Sequence, residues 1–148
     1  MGNRAIITTQ KNFDNKGIGV YVHWNGGYDS VSAFLKYCEL RGFRPPEEDG
    51  YGWARLCQII GNYFGGDLSI GIDMLNNLPL RYCDNGVYII EKWKIVGREY
   101  TYNKEEQMNY DLCDMVCAIN KAQPIKDRLD KRMIIKRILK GENNNADN

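Results

Sequence analysis

Gly17-Ile18-Gly19-Val20-Tyr21-Val22-His23-Trp24-Asn25-Gly26-Gly27-Tyr28-Asp29-Ser30-Val31-Ser32-Ala33-Phe34-Leu35-Lys36-Tyr37-Cys38 carries two periodicities, one after the other. Ile18, Val20, Val22 and Trp24 alternate with Gly19, Tyr21 and His23, and this period of two predicts a half-buried strand, since successive side chains leave a pleated backbone on opposite faces. Asn25-Gly26-Gly27 tolerates positive φ and predicts a tight turn. Val31, Phe34, Leu35 and Cys38 then fall at helical spacing behind Asp29 or Ser30, either of which suits a helix N-cap. A strand-turn-helix junction exposes the first amides of the helix, which favour a phosphate or carboxylate. Asn-Gly-Gly reads rather as a plain sharp reversal, because neither a Lys-Ser/Thr phosphate-loop ending nor a spaced Gly pattern accompanies it.

Working outward, Asn3 to Thr9 is rich in β-branched residues and reads as a strand, and the polar stretch 12–17 returns the chain antiparallel, so the opening is a hairpin. The helix from about Ser30 ends near Gly42. Pro45-Pro46 and Glu47-Glu48-Asp49-Gly50 form an extended loop whose charge reads as solvated. A second helix is expected from Tyr51 or Gly52 to Phe64, on the spacing of Trp53, Leu56, Ile59, Ile60, Tyr63 and Phe64. Leu68 to Asp73 alternates as a short strand, and Leu75 to Cys83 is irregular around Pro79. Asp84-Asn85-Gly86 signals a turn before two strands, Val87 to Glu91 and Lys94 to Tyr100, joined by a Lys92-Trp93 reversal.

From Lys104 to Ala122 the pattern is helical, and Pro124 is expected to restart the chain as a last helix ending at Gly141, with 141–148 as a disordered tail. In that helix Ile125, Leu129, Met133, Ile134, Ile138 and Leu139 form an apolar row flanked by seven basic residues. Glu105, Glu106, Asp111 and Asp114 on the preceding helix suit that basic flank, and a contact between subunits is the favoured destination for the row. The fold class expected is therefore α+β, a mainly antiparallel sheet of about five strands with about four α-helices. It divides into a ligand-binding domain over 3–123, a basic amphipathic helix over 124–140 and the tail.

A chain of 148 residues fits one core. Twenty basic against 19 acidic residues give a charge of +1, so no whole-molecule field draws the chain to nucleic acid or an anionic membrane, and nucleic acid is not expected as a general partner. No apolar run approaches the roughly 20 residues that cross a bilayer, and the start lacks a secretory stretch, which predicts a soluble intracellular protein. The five cysteines are odd in number and form no Cys-x-x-Cys pair, so they read as reduced thiols. Cys113 and Cys117, one helical turn apart, read as small buried hydrophobes rather than metal ligands.

His23 is the only histidine, so a Cys–His or Ser–His pair would have to use it. No metal-ligand spacing and no Gly-x-Ser-x-Gly elbow is present, and neither a catalytic residue, a metal nor a cofactor is expected. What remains is arginine and aromatics beside glycine turns. Arg55 and Arg98 sit among apolar neighbours, where a guanidinium can clamp phosphate bidentately while Tyr or Trp stacks a base; the alternative is that Arg55 pairs with a carboxylate and the rings are core. Chemistry and turn placement nominate Arg55, Arg98, His23, Trp24, Asn25, Asp29, Asn85 and Tyr88 as ligand-binding.

At Asn-Arg-Ala-Ile-Ile-Thr-Thr (3–9), Gly-Val-Tyr-Val-His-Trp-Asn-Gly-Gly-Tyr-Asp-Ser (19–30), Tyr-Gly-Trp-Ala-Arg (51–55) and Asp-Asn-Gly-Val-Tyr-Ile-Ile (84–90), the chain resembles small proteins carried by phages and prophages of Gram-positive bacteria. The family it resembles is the first anti-Thoeris family, the cyclic ADP-ribose sponges, over about residues 3–123. The resemblance implies a non-enzymatic anti-defence protein in the cytoplasm of the infected bacterial host. Such a protein captures cyclic ADP-ribose isomers made by TIR-domain enzymes in recesses between subunits, as at least a dimer. Some members are also said to hold cyclic oligonucleotides at separate sites. The nominated residues are not transferred from the family. Two other classes stay open: a host-takeover protein binding nucleic acid or a host protein through the basic last helix, and a nucleotide-cleaving enzyme resting on His23.

Overall fold

A computed structural model describes residues 2–13, 16–101 and 109–146, with side chains through Gly141. Its centre is β1 (Ala5–Thr8), whose four residues are all buried. β2 (Ile18–Val22) pairs antiparallel with it, Ala5 opposite Val22 and Thr8 opposite Gly19, so the expected opening hairpin is present. β3 (Ile70–Met74) lies antiparallel on the outer side of β2. On the other side β4 (Val87–Glu91) runs parallel to β1, and β5 (Lys94–Glu99) closes the hairpin at the far edge. The order is β3-β2-β1-β4-β5. With four α-helices among the described residues, α1 (Tyr28–Leu40), α2 (Gly50–Tyr63), α3 (Leu112–Lys121) and α4 (Lys131–Ala146), this is the expected α+β fold with a mostly antiparallel sheet.

Alternation sorts the strand residues between two cores. Ala5, Ile7, Val20, Val22, Tyr88 and Ile90 face the helices. Ile6 and Val87 face the other way, under Leu75, Leu78, Leu80 and Cys83. The irregular 75–83 stretch thus roofs the second sheet face, and each buried side chain there removes apolar area worth about 1.5–3 kcal/mol. α1 is buried on nearly all sides between the sheet, α2 and α3, with Phe34 in edge contact with Tyr63 at 5.5 Å and Phe64 at 6.4 Å.

The β4–β5 reversal has Lys92 at φ 49° and Trp93 at φ 64°, a left-handed pair in which neither residue is Gly or Asn. Tertiary contacts offset that strain. The Trp93 indole donates to the Phe43 carbonyl at 2.8 Å, and the Lys92 amide donates to Glu47 at 2.8 Å. The 47–49 acids are therefore not merely solvated: Glu47 anchors this turn, and Asp49 caps α2 through the Tyr51 amide and pairs with Arg44 at 2.9 Å.

Several expected boundaries move. α1 begins at Tyr28 behind Gly27, not behind Asp29 or Ser30. β3 starts at Ile70, leaving Leu68 fully exposed. α3 begins only at Leu112, capped by Asp111; residues 109–111 precede it, and 104–108 of the expected helix lie outside the described residues. Pro124 opens a single 3-10 turn, Ile125–Asp127, and α4 starts after Asp130, whose carboxylate accepts the Arg132 amide at 2.8 Å. α4 continues through Gly141 to Ala146, since an interior glycine costs a helix only about 1 kcal/mol. The expected helix end at Gly141 is overturned.

The apolar row of the last helix turns inward. Ile134 and Ile138 are buried in the same core as Met115, Val116 and Ile119, while Ile125 and Leu139 are exposed. Asn120 ties the junction, accepting from the Tyr37 hydroxyl and the Leu129 amide at 2.8 Å each and donating to the Leu129 carbonyl at 2.9 Å. The buried part of the row thus packs within its own chain and is not offered to another subunit.

Candidate functional site

The starts of β1 and β4 and the ends of β2 and β5 lie at one end of the sheet, because β1 and β4 are parallel to each other and antiparallel to the other two. Turn 25–30 and turn 84–88 meet there. Asn3 donates its amide to the His23 carbonyl at 2.9 Å, and Gly26 donates to the Asn3 carbonyl at 2.8 Å. The Asn85 amide donates to the Arg4 carbonyl at 3.0 Å, and its side-chain amide reaches the same carbonyl at 3.2 Å and the Asn3 side chain. Gly26 is required: a Cβ on it would strike the backbone of Asn3 and Arg4. The Tyr88 hydroxyl donates to the Gly26 carbonyl at 2.7 Å, joining the turns from below.

Arg98 stands opposite Tyr88 across the β4–β5 ladder. Its guanidinium carbon lies 4.7 Å from the Tyr88 ring centroid, and its Nε donates to the Asn85 carbonyl at 3.1 Å. The Tyr88 ring is in turn 6.5 Å from Tyr28, the first residue of α1. Beyond Tyr28, a recess of about 480 Å³ runs between α1 and β5, lined among others by Tyr28, Asp29, Lys36, Trp93, Lys94 and Tyr110. That volume is within the range of small-molecule sites. Lys36 is paired with Glu39 at 2.8 Å, and Asp29 is held by amides of its own chain, so Lys94 is the lining cation that joins no ion pair among the described residues, beside aromatic rings and the apolar Leu35 and Ile95. Lys36, Trp93, Lys94 and Tyr110 come from three separate parts of the chain and carry no local motif. Only the lone-tryptophan turn at 92–93 could have flagged one of them.

The nominated residues divide. Arg98, Tyr88, Asn85 and Asn25 gather at this end, Asn25 with φ 54° and its amide donating to the Ser30 hydroxyl at 3.3 Å. Asp29 lines the recess but is not a cap: it is buried, with one oxygen accepting from the Asn109 and Tyr110 amides at 2.8 and 2.9 Å and the other from Ser30 at 2.8 Å. The carboxylate at the α1 N-terminus is thus supplied by the chain itself. His23 points to the opposite sheet face, where its Nδ1 meets the Tyr21 hydroxyl at 2.9 Å; Trp24, partly exposed, packs edge-on against it at 4.7 Å. Arg55 is elsewhere altogether. It is exposed on α2 beside Phe43, at the end of the sheet where the β4–β5 turn lies, with Nη1 donating to Gln58 at 3.4 Å and its charge over Tyr51.

Salt bridges and burial set the local charges. Arg4 holds the Asp84 carboxyl below the usual carboxylate range, chiefly by its side-chain hydrogen bond and then by its backbone amide. Burial pushes the Tyr21 hydroxyl and the Cys83 thiol up, on the other face of the sheet.

Together these elements define an α+β protein with one mostly antiparallel sheet, helices on one face and a recess between α1 and β5. No family model, curated protein or solved structure matches the chain. Among the described residues no helix is long and apolar enough to cross a membrane.

Proposed function

We propose that the chain captures a signalling nucleotide of the cyclic ADP-ribose type and holds it without cleaving it. The carrying observation is the recess between α1 and β5, which combines aromatic rings with Lys94 and with Lys36, the latter paired to Glu39, and adjoins the Tyr28–Tyr88–Arg98 stack. A ring-and-cation recess suits a ligand with an adenine ring and a pyrophosphate: rings stack the base, and guanidinium or ammonium groups meet the phosphates. Capture needs donors, rings and enclosure, and makes no demand for a nucleophile or a tuned acid–base pair.

The resemblance supplies the sharper wording. Three of the four stretches that carry it, 3–9, 19–30 and 84–90, meet at the strand ends beside Arg98. In this reading the chain is a phage anti-defence protein of the infected host's cytoplasm, acting as a homo-oligomer that withdraws TIR-made cyclic ADP-ribose isomers from their effector. The test is mass spectrometry of nucleotides released by heating protein purified from cells that make TIR signals. Intact cyclic nucleotide is the expected result; a cleaved product, or none bound, defeats the reading.

A further inference from the structure

We propose that a second surface, running from the α1–α2 loop to α4 and independent of the nucleotide recess, is a track for single-stranded nucleic acid. Residues 121–140 contain eight basic side chains against Asp127 and Asp130, in a chain whose total charge is only +1. All eight are exposed, and none joins an ion pair among the described residues, whose salt bridges are Arg4–Asp84, Lys36–Glu39 and Arg44–Asp49. Whole-molecule neutrality therefore hides a strongly polar distribution, and a polyanion responds to the local field. Arg132, Lys136 and Lys140 follow at four-residue intervals, a row about 12 Å long on α4. Because Ile134 and Ile138 are consumed by the chain's own core, the basic face is left outward.

Three recesses lie between α4 and the α1–α2 loop, the first taking Lys131 and Ile135 of α4, one stripe around the helix from the Arg132–Lys136–Lys140 row. One of about 560 Å³ is lined by Lys121, Arg128 and Lys131. The next, about 240 Å³, reaches from Asp127 and Gln123 to Arg41 and Arg55, and shares Phe43 and Arg55 with a third of about 500 Å³ that adds Arg44 and Tyr51. Six cations line the series, Arg44 among them held by Asp49 at 2.9 Å, against the lining carboxylates of Asp114 and Asp127. Tyr51 is 63% exposed, and the guanidinium carbons of Arg44 and Arg55 lie 5.9 and 5.7 Å from its ring centroid. An exposed ring flanked by two cations, at the end of a basic path, is the combination that stacks an unpaired base while its neighbouring phosphates are neutralised. A duplex keeps its bases out of reach of such a ring. A membrane surface would call for a continuous exposed apolar face among the cations, and on α4 Ile134 and Ile138 are buried, Met133 and Ile135 half-buried, and Leu139 alone among its large apolar side chains is exposed.

Fluorescence anisotropy with labelled oligouridine and oligothymidine, a duplex of equal length and phosphatidylserine vesicles tests this across a salt series. Single strands are expected to bind, with log affinity falling about 0.7 per neutralised phosphate per unit of log salt. Preference for ribose or deoxyribose sorts RNA from DNA, and either sustains the proposal. The double variant K121E/K131E should flatten the salt slope by about 1 to 2, whereas Tyr51→Ala should weaken binding roughly 5- to 100-fold with little change in slope. Both sites are exposed, and melting temperatures control for folding. Arg98→Ala should leave this binding intact, so failure here is distinct from failure of the recess. Absence of oligonucleotide binding, a tighter duplex, binding to vesicles alone, or indifference to Tyr51→Ala overturns the proposal.

Discussion

The Tyr88 hydroxyl donates to the Gly26 carbonyl at 2.7 Å, across 62 positions of sequence, and both residues are buried. That bond couples the turn after β2 to the strand that carries the Arg98 stack. Tyr88→Phe leaves the carbonyl without its hydroxyl partner and should destabilise the fold by about 1–3 kcal/mol, read by urea denaturation. Unchanged stability would mean that the Gly26 carbonyl finds another donor and that the turns are held by the Asn3 and Asn85 contacts alone.

Arg98 and Arg55 should behave differently toward a captured cyclic nucleotide. Losing one charge-assisted contact costs about 1.5–3 kcal/mol, so Arg98→Ala should weaken binding roughly ten- to a hundredfold by calorimetry. Arg98 adjoins the recess between α1 and β5 through the Tyr88 and Tyr28 rings, whereas Arg55 lines the recesses with Arg44 and Arg41 and touches neither ring, so Arg55→Ala should leave that affinity unchanged. Equal losses in both variants would contradict the separation of the two sites.

The difference between these arginines shows where sequence reading stops. The strands were legible because Ile18–Val22 and Val87–Glu91 alternate or run apolar between turn signals, and the α4 row was legible because Ile134 and Ile138 keep helical spacing. Local pattern does not encode which strand ends coincide. The parallel β1–β4 pair, which brings Asn85 to Arg4, joins positions some 80 residues apart. Arg55 and Arg98 have similar neighbours in sequence yet lie toward opposite ends of the sheet. Asp29 looked like a helix cap from its position, but the loop at 109–110 competes for its carboxylate and wins.

α4 should prove integral to the core. Ile134 is fully buried against α3, so Ile134→Ala should cost about 2–5 kcal/mol, measured by chemical denaturation. Deleting residues 124–148 uncovers Met115, Val116 and Ile119 and removes both backbone partners of Asn120, and should unfold or aggregate the remainder. A truncated chain that stays folded and ligand-competent would instead favour a core complete by residue 123.

The Arg4–Asp84 pair predicts a small acid dependence. Asp84 has its folded pKa lowered, so its contribution is complete above its unfolded value near 3.9 and is lost as pH falls through the folded one. Both side chains meet water, at 37% and 42% exposure, which keeps the effect modest. Wild type should exceed Asp84→Asn in melting temperature at neutral pH, and the two curves should converge as pH falls below the lowered pKa of Asp84. A gap that persists in acid would assign the effect to packing rather than charge.

Asp29 gives the sharpest test of how the recess wall is held. Its Oδ2 accepts two amides, from Asn109 and Tyr110, and its Oδ1 a third, from Ser30, so three N–H donors converge on one buried carboxylate. An amide side chain has one acceptor oxygen, and in Asp29→Asn its NH2 must face an amide donor on whichever side the oxygen leaves. The variant should lose about 1–3 kcal/mol, and hydrogen exchange at the Asn109 and Tyr110 amides should accelerate before that of β1 does. Because Tyr110 and Asp29 both line the recess, nucleotide affinity should fall as well, even though the Arg98 stack is untouched. If exchange at 109–110 is unaltered while affinity collapses, Asp29 meets the ligand directly, and its hydrogen bonds to this loop are not what shapes the site.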